Sequence, residues 1–140
     1  MRKALPELLA RIIIGFVFIE SGWTKFHSLS HVTAFFESLH IPLAMILAPF
    51  VSAVELSCGV FILLGIQTKL STLPLMGVMT VALLTAKLED ITGVSSLFEQ
   101  SEFLYIAILL WLAIYGSTYL SADSILARKK RIKNAKFEQQ

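Results

Sequence analysis

The chain has 140 residues, of which 56% are hydrophobic and 16% charged, and its mean hydropathy is +0.74. This composition is far more apolar than that of a soluble domain of the same size, and it predicts an all-α membrane protein. The single cysteine, Cys58, excludes an internal disulfide and a cysteine cluster for zinc or iron–sulfur. No haem or flavin ligation pattern is present either, so any redox chemistry requires a bound quinone or an outside cofactor.

The first predicted membrane span covers residues 5–26 and carries charges inside an apolar run. Arg11, Gly15, Gly22 and Lys25 recur at helical intervals and therefore share one face. Because a charge at the bilayer centre costs roughly 2.5 to 3.5 kcal/mol, this face is predicted to point into a helix bundle. The two glycines allow a second helix to approach closely. Arg11 also interrupts the apolar core that a cleavable signal peptide needs, which favours a retained helix.

Residues 28–40 follow, and their pattern predicts a short helix at the membrane interface. The second span covers residues 43–65. Along it a stripe of mostly small residues contains one carboxylate, Glu55, at mid-depth. The members of the stripe are Ala48, Ser52, Glu55, Gly59 and Ile62.

The third span is predicted at residues 72–87, after a turn at 66–71, and the fourth at residues 102–120. Together the spans predict an antiparallel four-transmembrane-helix bundle, with residues 1–127 as the membrane domain and residues 128–140 as a basic tail. Lysine and arginine concentrate at both termini and in the 66–71 turn. The positive-inside rule therefore places both termini in the cytoplasm.

Three groups of residues follow one another in a recognisable order and spacing. They are Arg11, Gly15, Gly22 and Lys25; Glu55, Gly59 and the stretch 63–69; and Glu102, Gly116, Ser121 and Asp123. In these residues, and over nearly the whole chain up to Asp123, the sequence resembles the DoxX family of small four-helix integral membrane proteins. That family often has a glycine before the proline of the first connector, whereas here His40 precedes Ile41 and Pro42.

The resemblance implies a membrane subunit of a quinone-linked redox system in the bacterial inner membrane. The system is of the thiosulfate:quinone oxidoreductase type, or belongs to oxidative-stress or metal-handling complexes. The chain is then at most a non-autonomous part of an enzyme, with membrane lipid and a partner redox protein, or further copies of itself, as its partners. Nucleic-acid binding has no support, because the basic tail follows a membrane span and is best explained as an anchor on anionic lipid.

The four candidate ligand-binding residues are Arg11, Lys25, Glu55 and Glu102, predicted to form a polar line that holds a quinone head group or a small anion. From estimated depths, Arg11 is paired with Glu55 or, as the rival, with Asp123, and Lys25 with Glu102. The alternative interpretation is that these charges only fix the helix register. The predicted structural residues are Gly15, Gly22, Gly59, Gly116, Ser121 and Asp123.

Other functions remain open at the level of sequence. The chain could be a non-catalytic anchor or assembly factor for partner proteins, or a small-molecule transporter that dimerises through Gly15 and Gly22. His27 and His31 lie four residues apart and are weak candidates for metal ligands. Cys58 is interpreted as a packing residue.

Overall fold

The computed structural model describes residues 4–86, 100–115, 121, 124–125 and 128–129. These residues form helices and no strands. We number the five helices in chain order: α1 (Ala4–His27), α2 (Leu29–Ser38), α3 (Ala44–Leu64), α4 (Thr68–Ala86) and α5 (Ser101–Tyr115). The sequence prediction of an all-α protein is therefore confirmed for this part of the chain.

Four of the helices correspond to the predicted spans, and α2 corresponds to the predicted short connector helix. α3 and α4 are each long and apolar enough to cross a membrane, judged by length and composition. α1 is equally long but carries Arg11, Glu20 and Lys25. α5 is a shorter apolar helix, and the rest of its predicted span, residues 116–120, lies outside the described residues.

The start of α4 differs from the prediction. We expected a turn at residues 66–71 and a helix from 72, with Pro74 in its first turn, but the helix begins at Thr68. Pro74 thus lies inside the helix, where its missing N–H removes one backbone hydrogen bond. Such a proline is tolerated in apolar helices when neighbouring groups satisfy the freed carbonyl.

The helices α1 and α3 are antiparallel and pack through glycines, as the sequence predicted. A Cβ atom on Gly22 would lie only 2.6 Å from the backbone nitrogen of Leu56, and one on Gly15 only 2.8 Å from the Cβ atom of Leu63. Because real Cβ atoms are essentially never found so close to other heavy atoms, a larger residue at either position would force the helices apart.

The predicted stripe on α3 is buried along its whole length, and the hydrophobic core lies between α1, α3, α4 and α5. α4 and α5 form the second closely packed pair. The core residues are Ile14, Phe18, Ile62, Leu75, Met79, Leu109 and Leu112.

Candidate functional site

A carboxylate at the α1–α3 interface is held by two groups from α1. The side chain of Glu55 is 0% exposed, and that of Lys25 is 31% exposed. Lys25 Nζ lies 2.6 Å from Oε1 and 2.7 Å from Oε2 of Glu55, and the Ser21 hydroxyl donates to Oε2 at 2.9 Å. Ser21 and Lys25 are four residues apart on a helix, so both reach the same point on α3. The buried carboxylate thus has an opposite charge and hydrogen-bond donors beside it, which offset the unfavourable free energy of burying a charge.

Arg11 has a different position and different partners. It is 1% exposed and lies at the carboxyl end of α3, where Nε donates to the carbonyl of Ile62 at 3.1 Å and Nη2 to that of Leu63 at 3.3 Å. The last carbonyls of a helix lack partners within the helix and carry partial negative charge, so a guanidinium here stabilises the helix end. The described contacts of Arg11 are thus structural.

The predicted pairing of Arg11 with Glu55 is wrong. Lys25 neutralises Glu55, and Ser21 rather than Arg11 lies level with it. The depth estimate failed because it measured both helices from a common cytoplasmic plane. The packing instead sets Arg11 beside Gly65, at the very end of α3, ten residues away from Glu55. The rival pairing with Asp123 stays a prediction, since Asp123 lies outside the described residues.

A cavity of about 860 Å³ opens beside this ion pair, between α1, α2, α3, α4 and α5. Ser21 and Lys25, the two residues that hold Glu55, line it together with Glu102 and His31. Most of the wall is aliphatic or aromatic. A volume of this size with few polar groups is typical of sites for organic ligands.

Glu102 and Lys25 therefore share a cavity, but the predicted contact between them is wrong, because the described carboxylate partner of Lys25 is Glu55. Of the predicted structural residues, Gly15, Gly22 and Gly59 lie in the α1–α3 interface. Ser121 is buried, with its Cβ next to Gly65. Gly116 and Asp123 are outside the described residues.

Gly15 and Gly22 pack against α3 inside the bundle, and not in the dimer contact that was the alternative interpretation of these glycines. The ring of His27 packs on Trp23, with centroids 4.4 Å apart, and its Nδ1 lies 3.0 Å from the Trp23 carbonyl oxygen. Across the described ranges, no three His, Cys, Asp or Glu side chains form a cluster that could hold a metal ion. Cys58 packs, partly buried, against the hydrophobic core.

Sequence reasoning missed the cavity and two of its polar groups. Ser21 gave a detectable signal, because it lies one turn before Lys25 on the charged face of α1. His31 was considered as a weak candidate for a metal ligand and not as part of a cavity wall, and it lines the cavity. The cavity itself leaves no local signal, since it arises from the space that five helices leave between them.

Comparison with known proteins decides the family. The DoxX family model matches residues 7–88, more than half of the chain. The chain belongs to the DoxX family. The match covers α1 to α4, and thus Arg11, the α1–α3 glycines and the Lys25–Glu55 pair.

Individual relatives of this DoxX protein extend the match towards its carboxyl terminus. "Putative oxidoreductase CatD" of Bacillus subtilis (strain 168) is 31% identical over 133 residues, which are 91% of both chains. "Inner membrane protein YqjF" of Escherichia coli (strain K12) is 32% identical over 125 residues, or 87% of this chain and 92% of the relative. "Uncharacterized membrane protein Rv3486" of Mycobacterium tuberculosis is 34% identical over 79 residues, covering 56% and 48% of the two chains. No solved structure matches the chain.

Two of these relatives are named as membrane proteins, in agreement with the apolar composition and with the helices α3 and α4. The chain is therefore a membrane protein of the DoxX family.

Proposed function

We propose that this DoxX protein is a membrane subunit of a quinone-linked redox system and that it binds the quinone in the cavity beside Lys25 and Glu55. The observation that carries the proposal is an apolar cavity of about 860 Å³ with Lys25 at its wall, where the lysine is held by the wholly buried carboxylate of Glu55 behind it. A quinone needs the same combination, because it has a polar ring and an apolar tail. The oxidoreductase name of the Bacillus subtilis relative supports the same class of function.

In the membrane, we propose four antiparallel spans formed by α1, α3, α4 and α5, with both termini on the cytoplasmic side of a bacterial inner membrane. α2 then lies at the outer interface. The antiparallel packing of α1 on α3 and the contact of Lys69 Nζ with the Ile114 carbonyl, at 2.9 Å, support this arrangement. The basic termini support the proposed orientation by the positive-inside rule.

The residues of the site have separable tasks. Two of the three ammonium protons of Lys25 point at Glu55, which leaves the third to donate to a quinone carbonyl from the cavity wall. Glu55 holds the lysine in position through both of its carboxylate oxygens. Reduction of a quinone consumes two electrons and two protons, and the electrons come from a partner redox protein.

The test is the binding of decyl-ubiquinone and of a decyl naphthoquinone to the purified protein in nanodiscs. We expect saturable binding that Glu55→Gln weakens at least about tenfold, because the neutral amide no longer fixes the lysine. Glu20→Gln is the matched control, since it makes the same chemical change at an exposed residue of α1 that does not line the cavity. Circular dichroism and gel filtration verify that both variants are folded.

Mass spectrometry of small molecules that co-purify with the protein provides a second measurement. A stoichiometric quinone that is lost from Glu55→Gln but retained in Glu20→Gln supports the proposal. Equal quinone contents in all three proteins, or no saturable binding to the parent, would overturn it. The protein would then be an anchor or assembly factor, whose ion pair only stabilises the bundle.

A further inference from the structure

The cavity has an opening on the side of the bundle. Three large apolar side chains line the cavity and are nevertheless more than half exposed: Phe35 of α2 at 51%, Phe50 of α3 at 61% and Val81 of α4 at 52%. They come from three different helices and so mark the rim of an opening. Phe50 and Val81 belong to α3 and α4, the two helices that are long and apolar enough to cross a membrane, so two of the three rim residues lie on candidate membrane spans.

The polar and apolar groups of the cavity are separated along the bundle. Lys25, His31, Thr85 and Glu102 all lie where α1 and α4 end and where α2 and α5 begin. The other end of the cavity is walled by Val17, Phe18, Pro74, Gly77 and Val78. A ligand that fills the cavity must therefore be polar at one end only.

Gly77 leaves the apolar end open. A Cβ atom built on Gly77 meets no other atom within 4 Å, in contrast to the glycines of the α1–α3 interface. The α4 residues of the wall extend from Pro74 to Thr85, which at 1.5 Å per residue is roughly 16 Å and well beyond the length of one quinone ring. The space beside Gly77 thus accommodates a chain attached to the ring.

We infer that the ligand is a molecule with a long apolar tail, which enters from the bilayer through the opening between Phe35, Phe50 and Val81 and lays its tail beside Gly77. The inference rests on the proposed quinone site and deepens it, because it states where the tail lies and where the ligand enters from the bilayer. Gly77 is then a specificity-determining residue that selects for the tail.

The experiment compares three probes in nanodiscs: decyl-ubiquinone, the tail-less 2,3-dimethoxy-5-methyl-benzoquinone, and decanol, which has the chain without the ring. We expect Gly77→Leu to weaken the binding of decyl-ubiquinone at least about tenfold, because the new side chain displaces two or more methylene groups of the tail. The affinity for the tail-less quinone should change by less than about threefold. Equal weakening of both quinones, or no effect on either, would overturn the inference.

A second pair of variants tests the opening without touching the apolar end. Val81→Trp narrows the rim, whereas Leu84→Trp lies on the same helix, is similarly exposed at 56% and does not line the cavity. We expect Val81→Trp to slow the association of decyl-ubiquinone about tenfold and Leu84→Trp to leave it unchanged. Equal association rates in the two variants would contradict entry at this point.

The same data separate the inference from the proposed function. If decanol binds as tightly as decyl-ubiquinone and is equally sensitive to Gly77→Leu, the tailed-ligand site is correct and the quinone function fails. If both quinones bind with equal affinity and respond only to Glu55→Gln, the quinone function is supported and the inference about the tail fails.

Discussion

Lys25 donates to both carboxylate oxygens of Glu55, at 2.6 and 2.7 Å, although the lysine is partly exposed and the glutamate is fully buried. The pair is therefore asymmetric. The Glu55 side chain is not accessible from outside the bundle, while Lys25 extends from the α1–α3 interface to the cavity wall. Loss of the lysine leaves a buried carboxylate with only the Ser21 hydroxyl, which is unfavourable enough to be measured.

We therefore expect Lys25→Met to lower the stability of the bundle by about 3 to 5 kcal/mol, the usual cost of leaving one partner of a buried pair uncompensated. The double variant Lys25→Met/Glu55→Met should recover most of this loss, because it removes the charge as well as its partner. Thermal unfolding of both proteins in the same detergent measures the difference. A double variant that is as unstable as Lys25→Met would show that the pair is not the cause.

The glycines of the chain are predicted to fall into two classes. Gly22→Ala should lower the free energy of unfolding by about 1 to 3 kcal/mol, because its Cβ would lie 2.6 Å from the Leu56 nitrogen and 2.8 Å from the Ser52 carbonyl oxygen. Gly77→Ala should be neutral or stabilise by up to about 1 kcal/mol, since its Cβ meets open space and alanine favours the helix. Unfolding temperatures of the two alanine variants test this order. The reverse order would contradict the packing of α1 on α3.

Arg11 is predicted to need its guanidinium and not only its charge. Arg11→Lys keeps the charge but loses the planar guanidinium, whose Nε and Nη2 each donate to one of the carbonyls of Ile62 and Leu63, so we expect the free energy of unfolding to fall by about 1 to 3 kcal/mol. Arg128→Lys is the matched control, because Arg128 is exposed. Equal stability of Arg11→Lys and the parent protein would show that the carbonyl contacts contribute nothing.

The sequence was sufficient to predict which faces are buried. The spacing of Arg11, Gly15 and Gly22 correctly indicated a face packed against a second helix, and the α3 stripe around Glu55 is buried as expected. Both predictions follow from the helical period and from the cost of exposing charge or backbone to lipid. Such arguments concern one helix at a time.

The partners across the interface could not be predicted in the same way. Pairing Arg11 with Glu55 required the axial offset between α1 and α3, which depends on where Gly15 and Gly22 fit against α3. In the structure Arg11 lies beside Gly65, ten residues along α3 from Glu55, so the assumed offset was wrong by roughly 15 Å at 1.5 Å per residue. The cavity depends in addition on the position of α2 and on the spacing between α3 and α4, for which no single stretch of sequence carries a pattern.

The connector between α2 and α3 has His40 where the DoxX family often has glycine, and the structure explains why glycine is usual at this position. His40 has φ = 56°, and the bonds His40 N–H to Glu37 O and Ile41 N–H to Phe36 O close α2 in a Schellman motif. Gly65 ends α3 in the same way, with φ = 69°. A histidine thus occupies a left-handed position that glycine adopts without steric cost.

We expect His40→Gly to stabilise the protein by roughly 0.5 to 1 kcal/mol, because relief of the left-handed strain exceeds the added entropy of the unfolded chain. Ser38→Gly is the matched control. Ser38 is the last residue of α2, exposed, and donates to the Phe35 carbonyl, so glycine there should destabilise by about 0.5 to 1 kcal/mol. Unfolding temperatures that shift in opposite directions would confirm the left-handed turn at His40. A destabilised His40→Gly would mean instead that the imidazole makes contacts that outweigh the strain of its backbone.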